Sequence, residues 1–252
     1  MTGSSSGIGA AIARALAAAG ATVVVNSASS VADGERLAAE LPDASYIQAD
    51  IGHPQQVDRL VAGAIERHER LDILVNNAGV TEVIAHHDLE AVTDEVWNRI
   101  LKVNVVGTWN VTRAAVPHLR AGGDGIVVNV TSLAGVRPVG SSIPYAVSKA
   151  ALNHLALLLA NTLGPEIRVN AVAPGLIDTP WTGTSSVRSC GILRHCAGQV
   201  VRRTWRMPAW DSSAPGTPPA RFCWSTGAWH CGDLRLATGS STKAQIRDAT
   251  AR

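Results

Sequence analysis

No apolar stretch in this 252-residue chain reaches the roughly 20 residues that a helical membrane span needs; Ala150 to Ala160, for example, is interrupted by Asn153 and His154. No segment is therefore expected to cross a bilayer. The opening Met1-Thr2-Gly3-Ser4 lacks the basic stretch and apolar run of a secretory leader, so a cytoplasmic protein is expected. Residues 1–181 contain no cysteine, and Cys190, Cys196, Cys223 and Cys231 beyond them form no CxxC pair with which His195 or His230 could complete a zinc site. His86 and His87 are adjacent, so their side chains diverge, and no acid sits at ligand spacing. No metal is expected. Acidic charge is scarce in one part only. Residues 1–181 carry 12 Lys+Arg against 17 Asp+Glu and residues 182–252 carry 10 against 3, so the net +2 is −5 plus +7.

What is present alternates. The 46% hydrophobic content allows a sizeable core. Ile8, Ile12, Leu16 and Ala19 recur at helical spacing before Gly20, predicting a helix over 8–19. A strand at Thr22–Val25, a helix at Glu35–Leu41, a strand at Ser45–Ala49 and a helix opened by Pro54 and running to about Arg70 follow. Then come a strand Leu71–Val75, a helix from about Thr93 to His118, a strand Ile126–Val130, a helix from about Tyr145 to Leu163, and a strand Ile167–Val172. The alternation implies an α/β fold, a doubly wound parallel sheet of Rossmann type with ligand beyond the carboxyl ends of the strands. In that fold a central strand precedes the glycine loop. Only Met1 precedes Thr2-Gly3, so the first strand is expected to be missing.

Thr2-Gly3-Ser4-Ser5-Ser6-Gly7-Ile8-Gly9 is a TGxxxGxG loop running into a helix. Its glycines let the backbone approach a pyrophosphate that the helix N–H groups face, making Gly3, Ser5, Ser6, Gly7, Ile8 and Gly9 candidate cofactor contacts. Asn76-Asn77-Ala78-Gly79 follows the strand at Leu71–Val75, and Ser132 follows that at Ile126–Val130, thirteen residues before Tyr145. Tyr145 and Lys149, spaced i,i+4, share a helical face. A free phenol has a pKa of ~10, and proton exchange near neutrality needs a downward shift of about three units, about 4 kcal/mol. The Lys149 ammonium can supply positive charge.

In order and spacing these motifs resemble the short-chain dehydrogenase/reductase family over residues 1 to about 181, with greatest overall likeness to 3-oxoacyl-carrier-protein reductases. The resemblance implies an oxidoreductase that moves a hydride between NAD(P)(H) and a small carbonyl or alcohol substrate. It implies that Tyr145 is the general acid/base and that Ser132 hydrogen-bonds the substrate oxygen. Lys149 would also hold the nicotinamide ribose, and Asn104 a water linking that lysine to solvent. It puts Asp50 and Ile51 at the adenine and Asn77, Ala78 and Gly79 at the adenine ribose. Pro174 and Gly175 would bound the nicotinamide face, with Thr179 on the carboxamide. A homo-oligomer, a tetramer, is implied for the intact family member. Cofactor choice falls near Ser27: Asn26-Ser27-Ala28-Ser29-Ser30 offers no acid to the ribose diol, so NADP is expected over NAD, although no arginine is there to hold the extra phosphate.

After Trp181 neither period persists, and Pro208, Pro215, Pro218 and Pro219 interrupt the chain. The expected division is a dinucleotide-binding and catalytic domain over 1–181 and a tail over 182–252 without assignable fold. Codon degeneracy offers a reason. Pairing each codon's third base with the next codon's first two turns Arg221–Ala228 into a permitted Val-Leu-Leu-Val-Asp-Gly-Gly, its two leucines forced by Phe222-Cys223-Trp224. The same operation turns His195–Ser212 into a permitted Leu-Arg-Arg-x-Gly-Arg-Pro-x-Asp-Val-Ala-x-Ala-x-Val-Gly-Leu. Both resemble the family's last motifs. A frameshift beginning between 182 and 194 is expected, with loss of the substrate-loop helix and the last strand, and no native layer beyond about 185. It also explains the +7 tail, leaving no ground for nucleic-acid binding. The alternative to an active enzyme is a catalytically inactive nucleotide-binding fragment.

Overall fold

The computed structural model describes residues 1–175 and the backbone of 222–225. Helices and strands alternate as α1 (Gly7–Ala18), β1 (Val23–Ser27), α2 (Val31–Glu40), β2 (Ala44–Gln48), α3 (Pro54–His68) and β3 (Ile73–Asn76). Then follow α4 (Asp94–Leu101), α5 (Thr108–Ala121), β4 (Gly125–Val130), α6 (Ile143–Leu163), β5 (Ile167–Pro174) and β6 (Phe222–Ser225). β1 pairs with β2, and β3, β4, β5 and β6 pair in that order, all parallel. Parallel neighbours need crossover connections, and helices supply most of them, which covers the sheet and buries its Val- and Ile-rich strands.

Met1–Ser4 lies between the two runs of strands. The Met1 amine donates to the Val24 carbonyl (3.0 Å) and the Ser4 N–H to the Asn26 carbonyl (2.8 Å), while the Thr2 N–H donates to the Val75 carbonyl (2.9 Å). The segment thus bonds to β1 on one side and β3 on the other, where a doubly wound sheet has the central strand that leads into its glycine loop. Strand order reverses at this seam, which is where a doubly wound sheet binds its ligand.

Several expectations are corrected. α1 buries Gly9, Ala13 and Ala17 rather than the face of Ile8, Ile12 and Leu16, because only small side chains allow so close an approach: a Cβ at Gly9 would stand 2.3 Å from the Gly3 carbonyl oxygen. The helix predicted over Thr93–His118 is divided by a π-helical stretch, Lys102–Gly107. At its end Gly107 packs where a Cβ would meet the Ile51 carbonyl oxygen at 2.9 Å. The last strand, expected to be lost with the frame, is present in the backbone: Phe222–Ser225 pairs with Ala171–Pro174 of β5. Phe, Cys and Trp in succession, free of proline, suit an extended ladder. The substrate-loop helix falls outside the described residues.

Over an 18-residue stretch of its 21 residues α6 has a mean hydropathy of 1.2, which by length and composition alone matches a membrane span, though Asn153 and His154 interrupt it. Its apolar face has another use: Leu152 is buried, and Ala156, Leu159, Ala160 and Leu163 join Val127 of β4 and Ile167 and Val169 of β5 in the main core cluster.

Candidate active site

The glycine loop is built by backbone conformation. Gly3 and Gly7 have φ of +58° and +54°, a region glycine enters without strain. A Cβ at Gly3 would stand 2.6 Å from Ala78 Cα. The loop is fastened to the end of β3: Asn77 Nδ2 donates to the Gly3 carbonyl (2.6 Å), and Thr2 Oγ1 accepts the N–H groups of Asn77 (3.1 Å) and Ala78 (3.2 Å). α1 begins after Ser6 with no side-chain cap and no acid in its first turn, so its first N–H groups face an open end at Ser5, Ser6, Gly7 and Ile8. That combination of a cradle a Cβ would fill and an uncapped helix N-terminus fits a pyrophosphate.

Beside it, Ser27 is buried at the end of β1 with its Oγ 2.8 Å from the Tyr46 hydroxyl. Asn26 Nδ2 donates to the Ile47 and Ala49 carbonyls, both at 3.0 Å. Asp50 Oδ1 accepts the Gly52 N–H (2.8 Å), and Oδ2 lies 3.1 Å from His53 Nδ1. Ile51 is buried in the main core, so only its backbone could face an adenine. Asn76 ties β3 to β4 by donating from Nδ2 to Asn129 Oδ1 (2.9 Å) and Thr112 Oγ1 (3.0 Å).

At the same edge Ser132, Tyr145, Lys149 and Asn104 converge. Ser132 follows β4, its Oγ accepts the Ala134 N–H (3.1 Å), and its side chain hydrogen-bonds the Tyr145 phenol. Burial raises the phenol above its ordinary pKa of 10, and the Ser132 hydrogen bond opposes that rise with smaller effect. The expected lowering is therefore absent here, since desolvation of a phenolate dominates. Lys149 is fully buried, donates from Nζ to the Val130 carbonyl (3.1 Å), and is brought down by burial from 10.5 to about 8. Gly79 leaves room before it: a Cβ there would be 3.5 Å from Lys149 Nζ and 3.3 Å from Asn104 Oδ1.

Asn104 lies in the π-helical stretch with its side chain fully buried. Oδ1 accepts the Val80 N–H (2.8 Å), while Nδ2 donates to the Val80 carbonyl (3.0 Å) and to Ser148 Oγ (2.9 Å). Pro174 ends β5 and Gly175 follows it; Thr179 falls outside the described residues. The sequence reading missed Ser148, Ser142 and Tyr46, hydroxyls whose partners lie on other elements or on the backbone of Tyr145, and no local pattern marks them.

A family model described as short chain dehydrogenase matches residues 1–188. The "Granaticin polyketide synthase putative ketoacyl reductase 2" of Streptomyces violaceoruber is 60% identical over 185 residues, covering 73% of this chain and 74% of that protein. Dehydrogenase/reductase SDR family member 4 of Mus musculus is 41% identical over 223 residues, covering 79% and 77%. Among solved structures, 3-ketoacyl-(acyl-carrier-protein) reductase from Brucella melitensis complexed with NADH is similar at TM-score 0.68 and 34% identity, covering 71% of this chain and 75% of that one.

Proposed function

Because the chain belongs to the short-chain dehydrogenase family, whose members are NAD(P)-dependent oxidoreductases of small molecules, we propose that it reduces a small ketone, with Tyr145 as the proton donor. The observation that carries this reading is the buried phenol of Tyr145, hydrogen-bonded by Ser132 and 5.7 Å from Lys149 Nζ at its ring centroid. A phenol held neutral by burial is an acid ready to protonate a carbonyl oxygen. Ser132 orients that oxygen, and Lys149 stabilises the phenolate left behind. Asn104 secures the backbone of Val80 and, through a water, would let Lys149 exchange protons with solvent.

A nicotinamide dinucleotide supplies the hydride. Gly3, Ser5, Ser6, Gly7, Ile8 and Gly9 would hold its pyrophosphate; Ser27, Asp50, Ile51, Asn77, Ala78 and Gly79 its adenosine; and Lys149, Pro174, Gly175 and Thr179 its nicotinamide end. NADP is preferred in this reading because no acid stands at the end of β1. The similarity to ketoacyl reductases favours a β-ketoacyl thioester as substrate. Following NADPH absorbance with such thioesters and the purified chain tests it; NADPH binding without turnover would favour the inactive nucleotide-binding reading.

The proposed assembly is a homo-oligomer, a tetramer: Val106, Trp109, Leu157 and Leu158 leave apolar surface exposed along the α4–α5 connection, α5 and α6, which a second copy would cover. The cytoplasm is the proposed compartment, and residues 1–181 the proposed catalytic domain. We also hold that residues beyond 182–194 are read in a shifted frame. The segment whose shifted codons permit Val-Leu-Leu-Val includes the one that pairs beside β5, and the gene sequence decides the matter.

A further inference from the structure

The backbone of Tyr145 is gripped from both sides. Its N–H donates to Ser142 Oγ (3.4 Å), and its carbonyl accepts from Ser148 Oγ (2.7 Å). Both serines are fully buried. From Ser148 the chain of bonds passes to Asn104 Nδ2 (2.9 Å) and on to both backbone groups of Val80. From Ser142 it passes one residue back to Ser141, whose Oγ is hydrogen-bonded to Thr81 Oγ1 and whose carbonyl accepts the Ile84 N–H (2.8 Å). Thr81 follows Val80, so the two arms meet.

A closed circuit results: Tyr145, Ser148, Asn104, Val80, Thr81, Ser141, Ser142 and back to Tyr145. Four of its side-chain groups are hydroxyls. The loop after β3 is anchored outside the circuit as well, since Glu82 forms an ion pair with Arg99 of α4.

We propose that the Thr81–Ser141 hydroxyl pair is a positioning clasp that locks the first turn of α6 against the loop after β3 and so sets the position of the Tyr145 phenol beside Ser132. The inference rests on the reading of Tyr145 as proton donor. Without the clasp, the Ser142 arm can shift with the loop that carries it, and only the Asn104 arm keeps the register of the phenol. Displacement of an acid from its acceptor penalises turnover while leaving the dinucleotide cradle, built on α1 and β3, untouched.

The test compares Thr81→Val, Ser141→Ala, Thr81→Ser and Tyr145→Phe in the full chain, measuring kcat, KM, the pH profile of kcat, NADPH Kd and deuterium uptake across residues 142–148. Thr81→Val and Ser141→Ala are expected to lower kcat about tenfold, with NADPH Kd and KM within about twofold, to displace the pH profile, and to speed exchange at the start of α6. Thr81→Ser, which keeps the hydroxyl, is expected to restore all of these. A kcat within about twofold of the parent in Thr81→Val, with Tyr145→Phe inactive, overturns the clasp alone. A Thr81→Ser variant as impaired as Thr81→Val, or exchange unchanged in Thr81→Val, also overturns it. Parental turnover in Tyr145→Phe overturns the reading of Tyr145 and the clasp's purpose with it.

Discussion

Lys149 Nζ stands 5.7 Å from the centroid of the Tyr145 ring, and the burial that brings the two together pushes each toward its neutral form, the phenol upward and the ammonium down to about 8. The pair is set as a proton donor beside a weakened cation. A further positive charge near the phenol, such as an oxidised nicotinamide, is what would let it act as a base in the reverse direction.

Tyr145→Phe keeps the ring and its packing but removes the only proton the phenol can give. Ketone reduction is expected to fall by about 10²–10⁴-fold, while NADPH binding, followed by fluorescence titration, stays near the parental value.

Lys149→Met is expected to stabilise the fold at neutral pH and abolish turnover. The folded pKa lies below the unfolded one, so the unfolded chain binds the extra proton between about 8 and 10.5. The penalty of about 3 kcal/mol is fully present below pH 8 and is relieved as pH rises towards 10.5. Melting temperatures of parent and variant should therefore differ most at pH 7 and converge at about pH 10.5. A gap that is constant across this range would show that packing, not charge burial, sets it.

Gly3→Ala places a methyl group 2.6 Å from Ala78 Cα in a residue with φ +58°. A loss of ~1–3 kcal/mol is expected from the backbone alone, together with loss of NADPH binding. Urea unfolding and titration measure the two separately.

Ser27→Asp adds a carboxylate where Ser27 now meets the Tyr46 hydroxyl. Repulsion of the 2′-phosphate should weaken NADPH by at least about tenfold relative to NADH, read by direct titration of both. Unchanged preference would show that the phosphate lies elsewhere.

Much of this was legible because it is local. The TGxxxGxG loop, the i,i+4 pair of Tyr145 and Lys149, and the alternation of strands with helices each follow from neighbours in sequence, and the structure brings Ser132, Tyr145, Lys149 and Asn104 to one edge. What was not legible is tertiary. The direction of the Tyr145 shift depends on how much water the fold removes. The π-helical stretch at Asn104 continues a helical periodicity in the sequence, and the groups that bond the Asn104 side chain, on Val80 and Ser148, lie 24 and 44 residues away. Thr81 and Ser141, sixty residues apart, carry no mark of each other. Phe222–Ser225 gains its strand from the open edge of β5 rather than from an apolar alternation of its own.

The seam at Met1–Ser4 gives the dinucleotide a mechanical consequence. Proposed contacts at Ser27 fall on one run of strands and those at Asn77–Gly79 on the other, so the bound molecule would act as a suture across the sheet. By mass action a ligand present at a hundred times its Kd adds about 2.7 kcal/mol to stability. Here that energy should fall on one line of cleavage. Without the dinucleotide, β1–β2 and β3–β6 should open with separable protection in amide exchange; with it, they should open as one.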